Sequence, residues 1–286
     1  MPTIAAARTL IQMAELPNVM ALAADEIEGG GLPTFDPSKP QALVIGSDVV
    51  SFTVGVEADF RQAIADSALF AQLVALNKKG TAGDAMRFFD AYLTTLAGLG
   101  WLIQTREAAT IKLQTDGFDV HSAITGVITA FLSPISGAAA AVLAVLDGLH
   151  KMNANEPFIT LFNKRSHSQT LSRFQFTYVH NDPDHGLCAE IAAFALNADV
   201  GQTQVLFFKL NRNSSALSRS LGTLSIDTEA LKELKPNLAG RVKDFRTRMI
   251  AERTISPTDL DLLFLTDSPA EAAERIAEVT QRKFGF

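Results

Sequence analysis

The first half of the chain alternates between helical and extended hydrophobic patterns. Apolar positions recur at helical spacing from about residue 57 to 78 and again from about 82 to 103, which predicts two amphipathic helices. Residues 42–46 and 49–54 are short apolar runs and predict two buried strands. Residues 110–115 alternate apolar and polar side chains, so we expect a half-buried strand there.

An uncharged stretch from Ala123 to Leu146 is the most unusual feature of this pattern. A membrane-spanning helix needs about 20 apolar residues, so the length alone would allow a span. Ser133 and Pro134 lie in the middle of the stretch and are typical of a helix start. They favour two shorter helices packed as a buried hairpin of small residues. A kinked element able to enter a membrane and a permanent span are the alternatives.

After Pro157 the hydrophobic period changes from helical to two, as expected for strands in a sheet. The tight-turn sequence Asn-Asp-Pro-Asp-His-Gly at 181–186 connects two of them. The short connections predict an antiparallel sheet over about residues 158–226, in which the last apolar run is central and the final strand forms an edge. The predicted strands cover residues 158–162, 173–178, 187–196, 205–210 and 223–226.

Helical patterns return in the last part of the chain. Asp227 can begin a helix that Pro236 interrupts, a second segment runs to about Arg253, and a last helix covers about residues 268–283. Helices, a contiguous block of strands and further helices predict a single α+β domain over residues 1–286, with an antiparallel sheet packed against the surrounding helices.

Composition and charge narrow the classes of function. The chain has 25 basic and 31 acidic residues, a net charge of −6 and a pI near 5.4, which argues against nucleic acid as a partner. Cys188 is the single cysteine, which excludes an internal disulfide and a cysteine-based zinc site. The aromatic residues are 19 Phe, two Tyr and one Trp. Because Phe has no polar group to satisfy, this bias predicts a dry interior or an apolar pocket.

Common catalytic and targeting motifs are missing from the sequence. It has no phosphate-binding Gly-x-x-x-x-Gly-Lys-Ser/Thr, no Gly-x-Ser-x-Gly elbow and no His-Glu-x-x-His, so we expect neither a nucleotide nor a metal cofactor. The first residues lack a basic region ahead of an apolar stretch, and Arg8 interrupts the apolar positions. We therefore expect synthesis in the cytoplasm without a cleaved signal peptide, followed by membrane association or signal-independent secretion.

Residues 180–185, His-Asn-Asp-Pro-Asp-His, are the cluster richest in metal-ligand residue types. The segment is similar to the His-x-His-x-Asp-His signature of metallo-β-lactamase-like hydrolases, but Asp182 replaces the second histidine. A mononuclear site would need a distant ligand such as His121, His150 or His167. An Asp-Pro turn between antiparallel strands explains the same residues without a metal, and we expect that turn.

Cys188 is the residue whose chemistry matters most in this sequence. It lies near the start of a predicted strand, on the same face as Glu190 and Phe194. A neighbouring carboxylate raises the pKa of a thiol and discourages nucleophilic catalysis. Three interpretations stay open: an inert buried cysteine, an acylated cysteine beside an apolar pocket, or a nucleophile paired with His185 or His180.

A basic amphipathic segment covers residues 241–253, with an apolar stripe on one side. Such a helix can lie against an anionic lipid surface. The same pattern is also typical of a helix that packs on the core and keeps a solvated face. The basic residues are Arg241, Lys243, Arg246, Arg248 and Arg253.

Three features of the chain together carry a family resemblance. They are Leu-Ala-Gly-Leu-Gly-Trp at 96–101, the small-residue hairpin at 123–146, and the Phe-rich strands leading into His-Gly-Leu-Cys at 185–188. Their order resembles the Erwinia virulence factor family, bacterial proteins involved in persistence in the insect gut. Members are α/β proteins that carry palmitate on a cysteine. The resemblance implies Cys188 as the acylated residue, with His185, Glu190 and Phe194 near the site.

Three functions are compatible with the sequence. The first is a membrane-interacting, virulence-type lipoprotein that carries palmitate as a thioester on Cys188, without a conventional active site; its partners would be a fatty acyl chain and an anionic membrane surface. The second is a thiol-dependent acyltransferase or hydrolase using Cys188. The third is a pore-forming or translocation protein using residues 123–146.

Overall fold

Helices and strands alternate along the computed structural model of the protein, which describes residues 2–18, 33–78, 84–112, 118–151, 157–166, 171–197, 209–210 and 216–254. The helices are α1 (Ile4–Met13), α2 (Ala58–Asn77), α3 (Ala85–Gly98), α4 (Val120–Leu132), α5 (Ala138–Lys151), α6 (Pro157–Ser166) and α7 (Thr228–Met249). The strands are β1 (Gln41–Ile45), β2 (Asp48–Phe52), β3 (Trp101–Lys112), β4 (Phe118–Asp119), β5 (Leu171–Asp182), β6 (Gly186–Asn197), β7 (Lys209–Leu210), β8 (Ala216–Ile226) and β9 (Ile250–Thr254). The predicted α+β fold class is confirmed.

Within the described residues, seven strands form one sheet in the order β3-β8-β6-β5-β2-β1-β9, and β4 pairs with β7 separately. Neighbours in the large sheet run antiparallel except β2 and β5, which are parallel. The antiparallel sheet expected over residues 158–226 is confirmed for β5, β6 and β8. That range was too narrow, because β1, β2, β3 and β9 extend the same sheet on both sides.

Helices cover both faces of the large sheet and bury two apolar cores. The first core lies under α1, α2, α3 and α7, and the second lies under α4, α5 and α6. In β6, Ile191 and Ala193 belong to the first core, whereas Ala192 and Phe194 belong to the second. This alternation follows from the two-residue period of a strand, and its sequence prediction is confirmed. Cys188 therefore lies on the face of the second core.

The segment after Pro157 is a helix and not the strand predicted at 158–162. Pro157 is the first residue of α6, a position that suits its fixed φ angle and its missing N–H. Phe162 is fully buried, and its ring centroid lies 6.1 Å from that of Phe174. A short apolar run fits a buried helix as well as a buried strand, which is why the prediction was wrong here.

The second long helix ends earlier than the pattern predicted. It was expected to reach residue 103, but α3 stops at Gly98 and β3 begins at Trp101. Gly100 makes the turn between them with a φ of +95°, a conformation that glycine adopts without strain. Strand β3 also pairs with β8 along its length. Residues 223–226, predicted at the edge of the sheet, therefore lie inside it.

Two further differences concern the last third of the chain. Residues 209–210 of the run predicted as a central strand form β7, which pairs with β4 outside the large sheet; the rest of that run lies outside the described residues. Helix α7 continues through Pro236, where a break was predicted. Buried side chains such as Leu234 and Leu238 pack α7 against the first core and offset the hydrogen bond that proline cannot donate. The predicted helix at 268–283 lies outside the described residues.

The uncharged stretch at 123–146 folds as the helical hairpin that the sequence predicts. Helices α4 and α5 pack against each other and against the second face of the sheet. Helix α5 begins at Ala138, later than expected, because Ser133 and Pro134 lie in the connecting turn together with Gly137 at a φ of +74°. None of the helices in the described part of the chain combines the length and the hydropathy that a bilayer crossing requires.

Candidate functional site

Cys188 lies near the start of β6, between β5 and β8. The antiparallel register pairs it with His180 on β5 and with Ser225 on β8. The residue is 3% exposed. Directly opposed residues on antiparallel strands have Cβ atoms about 4.5–5.5 Å apart. His180 is therefore the imidazole that the fold places beside the thiol.

A small polar cluster surrounds the cysteine on this face of the sheet. His180 Nε2 lies 3.4 Å from Glu190 Oε1, and the Thr223 hydroxyl donates a hydrogen bond of 2.6 Å to Glu190 Oε2. The Tyr178 ring stacks on the His180 ring with a centroid distance of 5.5 Å. Glu190 and His180 are buried, so their mutual contact satisfies polar groups that water does not reach.

The thiol of Cys188 is held in its neutral form. Burial raises its pKa to about 11, and the negative charges of Asp182 and Glu190 add to the increase. Because the thiolate is the nucleophilic form of cysteine, this environment disfavours catalysis of the acyltransferase or hydrolase type. The sequence-based expectation that a nearby carboxylate raises this pKa agrees with the structure.

His185 does not lie opposite Cys188, although the sequence offered it as a partner. It occupies the turn between β5 and β6, where its ring Nδ1 lies 2.9 Å from Asp182 Oδ1 and its side chain is 55% exposed. Asp182 Oδ1 also accepts hydrogen bonds from the backbone N–H groups of Asp184 and His185. These bonds are those of an aspartate-stabilised turn, as predicted. Among the described residues, no group of three or more His, Cys, Asp or Glu side chains is arranged to hold a metal ion.

Phe194 lies further along β6 from Cys188, inside an aromatic cluster of the second core. Its ring stacks on Phe174 at 5.7 Å, and Phe176 lies 6.3 Å away in an edge-on arrangement. Ala192 separates Phe194 from the polar cluster around Glu190 on the same face. The apolar surface on this face thus begins at Ala192, beyond Glu190, and continues under the α4–α5 hairpin.

Two basic side chains of the amphipathic segment are bonded to other elements of the protein. Arg241 donates hydrogen bonds of 3.1 Å and 2.7 Å to the backbone oxygens of Ile11 and Ala14 at the end of α1. Arg246 forms a two-pronged ion pair with the buried carboxylate of Asp66 on α2. These contacts attach α7 to α1 and α2. They support the interpretation of the segment as a helix that packs on the core.

A second polar cluster, which the sequence analysis missed, lies on the other face of the sheet beneath α3. Asp48 is fully buried and accepts hydrogen bonds from Gln175 Nε2 at 2.8 Å and from the Thr177 hydroxyl at 3.0 Å. The Tyr92 hydroxyl lies 3.5 Å from the same carboxylate. Burial raises the pKa of Asp48 to about 7, although these hydrogen bonds oppose the increase. In the sequence, Asp48 lies in the turn between two apolar runs. The residues beside it did not indicate that its side chain would be buried.

Comparison with known proteins gives distant structural likeness. No family model matches the chain, and no curated protein matches it. The chain is similar to a delta-endotoxin with 15% identity and a TM-score of 0.40, covering 64% of this chain and 84% of that one. The activated Cyt2Ba monomer from Bacillus thuringiensis subsp. israelensis shows 14% identity and a TM-score of 0.29, with 49% and 80% covered.

The Evf virulence factor is also similar to the chain. It shows 11% identity and a TM-score of 0.28, with 82% of this chain and 89% of that one covered. The family resemblance expected from the sequence is therefore supported only as a distant structural likeness. At these identities and TM-scores, the likeness assigns no function and no site residue to this chain.

Proposed function

We propose that this protein is a membrane-interacting protein of the toxin or virulence type, and that the α4–α5 hairpin is the element that meets the lipid. The observation that carries the proposal is the absence of charge from residues 123–146 on both faces of the hairpin. A helix on a protein surface normally keeps charged side chains on its solvent face. Residues 123–146 have none there, and the charged residues of α5, Asp147 and Lys151, follow them in the sequence.

Over residues 123–146, the two faces of the hairpin differ in burial but not in charge. Its inner face packs apolar side chains such as Ile124, Ile128 and Val142 onto the sheet. On the outer face, Gly126 and Ala130 are exposed. Both the inner and the outer face are thus compatible with contact to lipid acyl chains.

The hairpin is attached to the sheet by apolar packing. The described side-chain hydrogen bonds of residues 123–146 stay within α4 or its end: Thr129 to the Thr125 oxygen, and Ser133 to the Ala130 oxygen. The backbone of each helix satisfies its own hydrogen bonds, as any lipid-exposed segment must. Exchanging the sheet for acyl chains would therefore break few polar contacts. Each helix is shorter than the length of about 20 residues that a span needs, so the pair would insert at the interface or as a hairpin.

A charge on the outer face tests this role. Ala130→Glu should leave folding almost unchanged, because the position is exposed. Ala130 lies near the turn of the hairpin, the part that would insert most deeply, and a charged side chain at the bilayer centre costs about 2.5–3.5 kcal/mol, so vesicle binding and dye release should fall by about 100-fold. The measurement is co-sedimentation with, and dye release from, vesicles of phosphatidylcholine and phosphatidylglycerol.

The matched control is Ala130→Met, which adds an apolar side chain of similar size and should keep most of the binding. Circular dichroism and thermal unfolding of both variants check the fold. Equal losses in the Glu and Met variants would contradict the role of the hairpin. If the wild-type protein neither bound nor permeabilised these vesicles, the proposed membrane interaction would be contradicted.

A second candidate function is the carriage of a fatty acyl group on Cys188. Two observations support it: the register places His180 beside the thiol, and an apolar surface begins at Ala192, one position beyond Glu190 on the same face, and includes Phe194. In this reaction the Cys188 sulfur would form a thioester with the acyl carbon of a donor thioester. The bond between that carbon and the donor sulfur would break, and the Cys188 proton would pass to the released thiolate, with His180 as the relay. Each methylene buried in the protein would contribute about 0.8 kcal/mol.

Intact mass under denaturing conditions tests the second function. Protein purified from the organism that produces it should carry the added mass of one fatty acyl group, and hydroxylamine should remove it because hydroxylamine cleaves thioesters. The Cys188→Ser variant should lack the added mass. An unmodified wild-type mass, or an added mass that survives hydroxylamine, would exclude a thioester at Cys188.

A further inference from the structure

A small cavity lies between α3 and the first face of the sheet. Apolar side chains of α3, among them Phe89 and Leu93, form its roof, and residues of β5, β6 and β8 form its floor. The space is large enough for about one water molecule. It lies apart from the Cys188 cluster, which is on the opposite face.

The floor of this cavity follows from the register of the sheet. Gln175, Ala193 and Ser220 form one row across β5, β6 and β8. Adjacent strands are about 4.8 Å apart, so the two outer residues are separated by about 10 Å. The methyl group of Ala193 is too small to fill the space between them, and the cavity lies above it.

Two polar atoms of this row lack a protein partner. Gln175 Oε1 and Ser220 Oγ are buried and receive no hydrogen bond from any described residue, and their residues are 1% and 2% exposed. The orientation of the Gln175 amide is fixed, because its Nε2 donates to the Asp48 carboxylate. Leaving such a buried group unpaired costs about 1–3 kcal/mol.

We propose that this cavity binds one ordered water molecule, which donates a hydrogen bond to Gln175 Oε1 and pairs with the Ser220 hydroxyl above Ala193. A buried water needs two to four polar partners, and the row supplies two. Tyr92, which also lines the cavity, is the neighbouring polar residue on α3. The water completes a polar chain from Asp48 on β2 through Gln175 to Ser220 on β8.

The polar chain from Asp48 to Ser220 has a structural consequence for the sheet. Asp48 and Gln175 face each other across the parallel pair β2 and β5. The water extends that contact over Ala193 of β6 to β8, so one polar network links β2, β5 and β8 beneath α3. The network fixes the relative positions of these strands more specifically than apolar packing alone would.

The direct test is a high-resolution crystal structure of the full chain. A single peak at about 2.6–3.2 Å from both Gln175 Oε1 and Ser220 Oγ is the expected result. An empty cavity, or a direct hydrogen bond between the two side chains, would overturn the proposal.

Water-¹⁷O magnetic relaxation dispersion gives a second test in solution, because it counts long-lived buried water molecules. Ala193→Val fills the cavity with methyl groups, so the count should fall by one and the melting temperature should drop by about 2–4 °C or more. Ala195→Val adds the same methyl groups to the next inward position of β6, away from the cavity, and should keep the count. The same count in wild type and Ala193→Val, or an equal loss in both variants, would refute the water site.

Discussion

Replacing Asp48 by Asn should remove much of the decrease in folding stability that we expect between about pH 4 and pH 7. Burial raises the pKa of Asp48 to about 7, whereas the unfolded chain has the ordinary value near 3.8. The native state therefore binds one more proton than the unfolded state in this window. The stabilisation is fully present below the unfolded pKa and is lost as the pH rises through the folded pKa.

The size of this effect follows from linkage. A group that is protonated in the native state but ionised in the unfolded state changes the free energy of unfolding by about 1.4 kcal/mol per pH unit. An amide at position 48 has nearly the shape of the protonated carboxyl and carries no charge. The variant should therefore be more stable than wild type at pH values above about 7 and nearly equal to it near pH 4.

Urea unfolding at a series of pH values measures this difference. Asp59→Asn is a matched control, because the Asp59 carboxylate is exposed and Lys235 lowers its pKa. That substitution should reduce stability at neutral pH, which is the opposite sign. If the difference between Asp48→Asn and wild type did not change with pH, Asp48 would not titrate as its burial implies.

Arg61→Met should reduce the free energy of unfolding by about 3–5 kcal/mol, because several acceptors would lose their donor and each buried group left unpaired costs about 1–3 kcal/mol. Arg61 is fully buried at the start of α2, and all three of its nitrogens donate hydrogen bonds. The Nε group donates to Val56 O, and the two Nη groups donate to Asp36 O, Gln41 Oε1, Lys39 O and Thr53 O at 2.7–3.1 Å.

The reason for the large loss is that one side chain holds three separate segments. The acceptors belong to the loop before β1, to β1 itself and to the segment after β2, so methionine would leave several buried carbonyls without a donor. Lysine cannot replace the planar group, because three N–H bonds on one nitrogen do not reach all these directions. Arg61→Lys should therefore recover only part of the stability.

Chemical unfolding compares these variants with Arg87→Met on the exposed surface of α3. Arg87 is 70% exposed and pairs with Asp84, so its loss should change the stability by less than about 0.5 kcal/mol. A loss of less than about 1 kcal/mol in Arg61→Met would show that water replaces the guanidinium.

Sequence patterns predicted the local elements where both length and period were distinctive. Helix α2 and the hairpin of α4 and α5 follow from long helical patterns, and the two faces of β6 follow from its alternation. The helix at Pro157 was missed because a short apolar run has no diagnostic period. The extent of the sheet was missed because β2 pairs with β5 and β1 with β9, and pairings between distant segments leave no local signal.

The candidate site was predictable only in part. Cys188, Glu190 and Phe194 were placed on one face of a strand by alternation alone. His180 could have been placed opposite Cys188 from the turn, because pairing Asp182 with Gly186 fixes the register of the whole hairpin. Asp48 could not be identified, since its burial results from the packing of α3 over the parallel pair of strands.

The pairing of β1 with β9 has a consequence for the order in which the protein is made. Gln41 leaves the ribosome early and its partner Thr254 leaves late, so the large sheet keeps an open edge at β1 during most of synthesis. The strands β5, β6 and β8 can pair as soon as residue 226 emerges, because their contacts are closer along the chain. A nascent chain stalled before residue 250 would therefore expose β1 as an unpaired edge, the kind of surface that chaperones and aggregation both recognise.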